Sequence, residues 1–131
     1  MPTKPLIAVI DDDESVRAAL RSLMRAVGFA AEAFASAEEF LEFRDHRRTA
    51  CLILDVNMPG MTGFDLHRHL MESGQGVPTI LITGRPDERA REQAVRAGII
   101  GYLGKPIPEG DLLACVRSAL GHRSLLAGKR E

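Results

Sequence analysis

Five short apolar runs, each followed by a stretch with helical spacing, constrain this chain more than any other feature of its sequence. Leu6–Ile10 is aliphatic without alternation, the pattern of a strand covered on both faces. Residues 29–34 form a second run in which alanines dilute Phe29 and Phe34, and residues 51–55 form a third, Cys51-Leu52-Ile53-Leu54-Asp55. Thr79–Thr83 and Ile99–Leu103 complete the set.

Between the runs the period changes from that of a strand to that of a helix. Val16, Leu20, Leu23, Met24 and Val27 lie on one helical face, and Gly28 marks its end. Ser36 and Glu39 form a capping box that opens a helix to about Arg44, with Phe40, Leu41 and Phe43 available to the core. Gly63 leads into a third helix with Phe64, Leu66, Leu70 and Met71 mostly inward, closed by Gly74 and Gly76. Asp87 caps a fourth to Ala97, whose apolar stripe of Ala90, Ala94, Val95 and Ala97 is shallow and implies light anchoring. From about Pro108, Leu112, Leu113, Val116, Ala119 and Leu120 define a fifth helix that ends at Gly121. Residues 1–121 are therefore expected to form one domain, and 122–131 a tail or the start of a linker.

Apolar strands alternating with helices predict an α/β fold, a five-stranded parallel sheet with helices on both faces. In such sheets ligands bind outside the carboxyl ends of the strands. The residues expected there are Asp11, Asp12, Asp55, Thr83 and Lys105.

Composition excludes several classes. The 131 residues suffice for one domain with a real core, and the formal net charge of -1 gives no case for nucleic-acid or membrane-surface binding. The apolar segment near the N-terminus is too short for a signal peptide or a membrane span. Cys51 and Cys115 read as small core residues in a reducing setting, which points to the cytoplasm.

Three carboxylates at one rim repel unless a hard cation joins them, so the pattern predicts Mg²⁺ held by aspartates, with the backbone carbonyl of Asn57 as a further ligand. A partly hydrated metal can take the oxygens of an incoming phosphoryl group. Asp55 is then a carboxylate nucleophile, while Lys105 supplies a mobile positive charge and Thr83 a hydroxyl to a phosphoryl oxygen. Asp13 reads as charge at a helix N-terminus, and Tyr102 as a core aromatic. His67 and His69 point to different helical faces and read as solvated. The stretch from Asp11 is not a calcium hand, because Val16 stands where that motif needs glycine.

Asp11-Asp12, Asp55, Thr83 and Lys105-Pro106, each at the end of an apolar run, together resemble the receiver domain of bacterial two-component response regulators over about residues 5–121. Leu81-Ile82-Thr83-Gly84 and Gly101-Tyr102-Leu103-Gly104-Lys105-Pro106 resemble receivers that precede LuxR-type helix-turn-helix domains, those of the NarL and FixJ regulators. The resemblance implies a flavodoxin-like doubly wound sheet of order 2-1-3-4-5 with five helices. It implies phosphorylation of Asp55 by a sensor histidine kinase or phosphotransfer protein, with Mg²⁺ on Asp12, Asp55 and the Asn57 carbonyl, and on Asp11 through water. It further implies that Thr83 and Tyr102 turn inward together, remodelling the face of the fourth helix, fifth strand and fifth helix, through which phosphorylated copies can dimerise. The Lys105-Pro106 peptide bond is expected to be cis.

Two other functions compete. Asp11-x-Asp13 resembles the nucleophile and acid of haloacid-dehalogenase-like phosphatases, although Ser15 departs from that family's pattern and no Gly-Asp motif follows Lys105. A receiver fold can also serve as a phosphate-independent binding module. Neither the kinase, the effector nor the lifetime of a phosphorylated state is encoded legibly in these residues.

Overall fold

A computed structural model describes residues 4–129. Its elements run β1 (Leu6–Ile10), α1 (Glu14–Ala26), β2 (Ala30–Phe34), α2 (Ala37–Glu42), β3 (Thr49–Asp55), α3 (Gly63–Glu72), β4 (Thr79–Thr83), α4 (Glu88–Arg96), β5 (Gly101–Gly104) and α5 (Glu109–Lys129), with a 3-10 turn at His46–Arg48 before β3. All strand pairs are parallel and the sheet order is β2-β1-β3-β4-β5, as the resemblance implies.

The helices begin where side chains supply the donors' missing partners. Asp13 caps α1 by accepting from the amides of Ser15 and Val16, Ser36 caps α2 through the Glu39 amide, and Asp87 caps α4 through the Ala90 amide. At α3 the cap is reciprocal: Thr62 accepts from the Asp65 amide and the Asp65 carboxylate accepts from the Thr62 amide. That Thr-x-x-Asp box lies one residue before the glycine read as the start. Gly28, Gly74 and Gly98 close helices in the left-handed region, with φ of 102°, 72° and 77°.

Strand side chains alternate between two separate apolar layers. On one face Ala8, Ile10, Leu52, Leu54 and Leu81 meet Phe40 of α2, Leu66 and Leu70 of α3, Ala94 of α4 and the ring of Tyr102. On the other, Ile7, Val9, Cys51, Ile53, Ile80 and Ile82 meet Leu20 and Met24 of α1 and Leu112, Val116 and Ala119 of α5. Burying each such Leu or Ile contributes roughly 1.5–3 kcal/mol.

Several expectations need correction. α5 does not end at Gly121 but continues to Lys129, because Gly121 has no positive φ and a helix tolerates glycine at a cost of about 1 kcal/mol. Residues 130 and 131 of the expected tail lie outside the described range. α2 stops at Glu42, since Phe43 is extended at φ -66° and ψ 123°. Met71 and Val95 are not inward; they are 55% and 72% exposed. His67 is buried rather than solvated, and burial lowers its pKa. His69 is exposed, so the two histidines do face different ways.

Candidate functional site

The sheet ladder itself delivers the site residues. Beyond the strand ends, the Asp11 amide still donates to Phe34 O at 3.1 Å, the Val56 amide to Ile82 O at 2.9 Å and the Lys105 amide to Thr83 O at 2.8 Å. Asp11, Asp55, Thr83 and Lys105 are thus fixed by backbone bonds before any side chain interacts. The Lys105-Pro106 peptide is cis.

These residues meet at one rim. Oxygens of Asp11, Asp12 and Asp55 lie within 4.8 Å of one another, Asp11 and Asp55 being buried and Asp12 exposed. The Lys105 ammonium is 2.9 Å from Asp11 Oδ2 and 3.6 Å from Asp55 Oδ2. A cleft of about 650 Å³ opens over them, bordered by Asp12, Asp55, Asn57, Arg85 and Lys105.

The electrostatics follow from crowding. Burial, and after it the Asp11 charge, push the Asp55 pKa up to about 6, against the pull of Lys105 and the Asn57 amide. Burial alone would lower the Lys105 pKa, but hydrogen bonding and attraction to Asp11, then to Asp55, outweigh it and hold the ammonium above its usual range. An all-oxygen donor set whose negative charges destabilise one another fits a hard divalent cation.

Asn57 reaches both ways. Its amide donates to Asp55 Oδ1 at 3.3 Å, and its side-chain Nδ2 donates to Thr83 Oγ1 at 3.2 Å. The buried Thr83 hydroxyl also accepts from the Arg85 amide at 3.0 Å. Tyr102 is buried, its hydroxyl accepting from the Asp87 amide at 3.2 Å, and the Arg91 guanidinium lies 5.0 Å from its ring centroid. The ring is therefore both a core aromatic and a tie to the start of α4.

Three supporting residues escaped the sequence reading. Arg17 donates to Asp11 O at 3.0 Å, Arg91 covers Tyr102, and Gly63 packs where a Cβ would stand 2.5 Å from Asp55 O. Arg17 follows the acidic run on the next turn of chain, a spacing that offers a weak signal; Arg91 and Gly63 give none, since their partners are set by the fold. Asp13, the acid required by the dehalogenase-like reading, is committed to capping α1.

Comparison with known proteins fits this geometry. Residues 7–117 match the family model described as the response regulator receiver domain. The chain is 42% identical over 115 residues to the response regulator protein TodT of Pseudomonas putida, covering 88% of this chain and 51% of TodT. It is 34% identical over 131 residues to the transcriptional regulatory protein FixJ of Azorhizobium caulinodans, covering all of this chain and 62% of FixJ. A solved structure of the response regulator StyR superposes with a TM-score of 0.87 at 39% identity, covering 98% of this chain and 65% of that one. The chain spans about half the length of TodT, the first of these relatives. Among the described residues no helix is long and apolar enough to cross a membrane.

Proposed function

The chain belongs to the response regulator receiver domain family, and from that premise we propose that it is a phosphoryl-operated switch whose acceptor is Asp55. The family is one of signalling receivers rather than of turnover enzymes. The donor in this reading is a phosphohistidine on a sensor kinase or phosphotransfer protein in the cytoplasm. Its P–N bond breaks as a bond forms between phosphorus and an Asp55 carboxylate oxygen. One observation carries the proposal: the Asp55 carboxylate, held at the end of its strand, borders an open cleft and has an ammonium 3.6 Å away.

Asp12, Asp55 and the Asn57 carbonyl would hold Mg²⁺, with Asp11 acting through water. Once bound, the ion supplies positive charge to the phosphoryl oxygens as negative charge develops on them. Lys105, released from part of its attraction to Asp11, pairs with the transferred group. Thr83 gives up the Asn57 and Arg85 donors to reach a phosphoryl oxygen. Tyr102 is already inward, so its part is to release the Asp87 amide and free the start of α4, rather than to swing in from solvent. The face of α4, β5 and α5 then changes shape, and an exposed Val95 on α4 offers apolar contact for a second phosphorylated copy. Residues 1–121 form the receiver unit in this reading, and 122–131 lead on from it.

Acetyl phosphate with Mg²⁺, followed by intact mass, tests the acceptor. One phosphoryl adduct is expected on the wild type and none on Asp55→Asn. An adduct that survives in Asp55→Asn would refute this assignment. If the wild type gains no adduct, a phosphate-independent binding module becomes the better reading, whereas steady hydrolysis of an aryl phosphate lost only in Asp11→Asn would indicate a phosphatase.

A further inference from the structure

The loop from Asp55 to Gly63 leads the proposed acceptor's strand into α3, and backbone bonds tie both of its ends. At the first end the Val56 amide donates to Ile82 O at 2.9 Å and the Asn57 amide to Asp55 Oδ1 at 3.3 Å. At the second the Gly63 amide closes the loop on Val56 O at 3.1 Å, and the Thr62 amide donates to Asp65 Oδ2 at 3.0 Å. Met58, Pro59, Gly60 and Met61 lie between. The buried Met58 side chain seats this stretch in the core, but Pro59 has no amide proton to tie it, and Gly60 stands in the left-handed region at φ 77°.

Glu38, in the first turn of α2, reaches this stretch from outside the loop. Its Oε2 accepts from the Met61 amide at 3.3 Å, and a Cβ added at Gly60 would stand 3.0 Å from the same oxygen. The glycine therefore leaves room for the carboxylate as well as making the turn. Among the described residues this is the one hydrogen bond that ties residues 58–61 to another element. Glu38 forms no ion pair among the described residues, so no cation competes with the Met61 amide for it.

We infer that Glu38 is a positioning residue for the metal-assisted step, a latch from α2 that holds the loop so that the Asn57 carbonyl stands ready for the ion. The inference rests on the functional reading above, in which that carbonyl is a ligand. Mg²⁺ demands near-ideal octahedral geometry, and a loop that must become ordered on binding subtracts that ordering from the affinity. A loop already held at Met61 binds the ion without that loss.

The test is a Mg²⁺ titration of the intact chain by amide NMR, without a phosphoryl donor, on the wild type, Glu38→Ala and Glu38→Gln. Glu38→Ala removes the acceptor, whereas Glu38→Gln removes the charge from the first turn of α2 but keeps an oxygen that can accept from Met61. The Mg²⁺ Kd is expected to rise about three- to tenfold in Glu38→Ala, the loss of one hydrogen bond, and to stay within about twofold of the wild type in Glu38→Gln. Adduct formation from acetyl phosphate should slow in Glu38→Ala at low Mg²⁺ and approach the wild-type rate at saturating Mg²⁺, a split that general destabilisation would not produce. An unchanged Kd in Glu38→Ala, or equal weakening in both variants, would overturn the inference and leave the acceptor assignment intact. A wild type with no saturable response to Mg²⁺ would instead refute the metal site, and the inference with it.

Discussion

The Lys105 ammonium stands nearer to Asp11 than to Asp55, at 2.9 Å against 3.6 Å. It is therefore held by a carboxylate that is fully buried, and reaches the proposed acceptor only as a second partner.

Removing that cation strands a buried negative charge. Lys105→Gln is expected to destabilise the metal-free protein by about 1–3 kcal/mol at pH 7, measured by urea unfolding. Added Mg²⁺ should narrow the difference from the wild type, because it supplies charge to the same carboxylates.

Asp55→Asn should act in the opposite direction. The folded-state pKa of about 6 exceeds the ordinary 3.8, so between these values the folded protein binds more protons than the unfolded chain. Stability contributed by this group therefore falls as pH rises through that window and stays low above it. Asp55→Asn removes the penalty and should gain on the order of 1–2 kcal/mol at pH 7 but nothing near pH 3.5, which paired unfolding curves at the two pH values will read.

Mg²⁺ should stabilise the wild type by about 1.4 kcal/mol at ten times its Kd. The gain should be smaller at pH 5, where Asp55 is protonated, and should vanish in Asp12→Asn and Asp55→Asn. Melting curves with and without the ion decide this.

Gly63→Ala is expected to cost about 1–3 kcal/mol, since a Cβ there would meet Asp55 O at 2.5 Å and Val56 Cα at 3.1 Å. The acceptor's backbone must then shift, so phosphorylation by acetyl phosphate should slow as well. Retention of both wild-type stability and wild-type rate would show that the close packing has no consequence for the site.

Much of this arrangement was legible because strand ends announce themselves: an aliphatic run stopping at Asp11, Asp55 or Thr83 needs only the parallel fold to bring those groups together. What stayed hidden depends on the third dimension. His67 and Met71 lie four residues apart on α3, yet the histidine is buried and the methionine exposed, because neighbouring elements decide which part of a helical face is covered. Gly121 carries the same composition signal as Gly28 but not its backbone conformation. Arg91 finds Tyr102 only because α4 packs beside β5.

The sheet divides the apolar interior into two layers, and the proposed output face straddles the division. Tyr102 and Ala94 of α4 belong to one layer, Leu112 and Val116 of α5 to the other. Motion that begins at Tyr102 can consequently loosen α4 while α5 keeps its seat, so a partner bound across both helices would sense a change in their relative position rather than the displacement of a single rigid block.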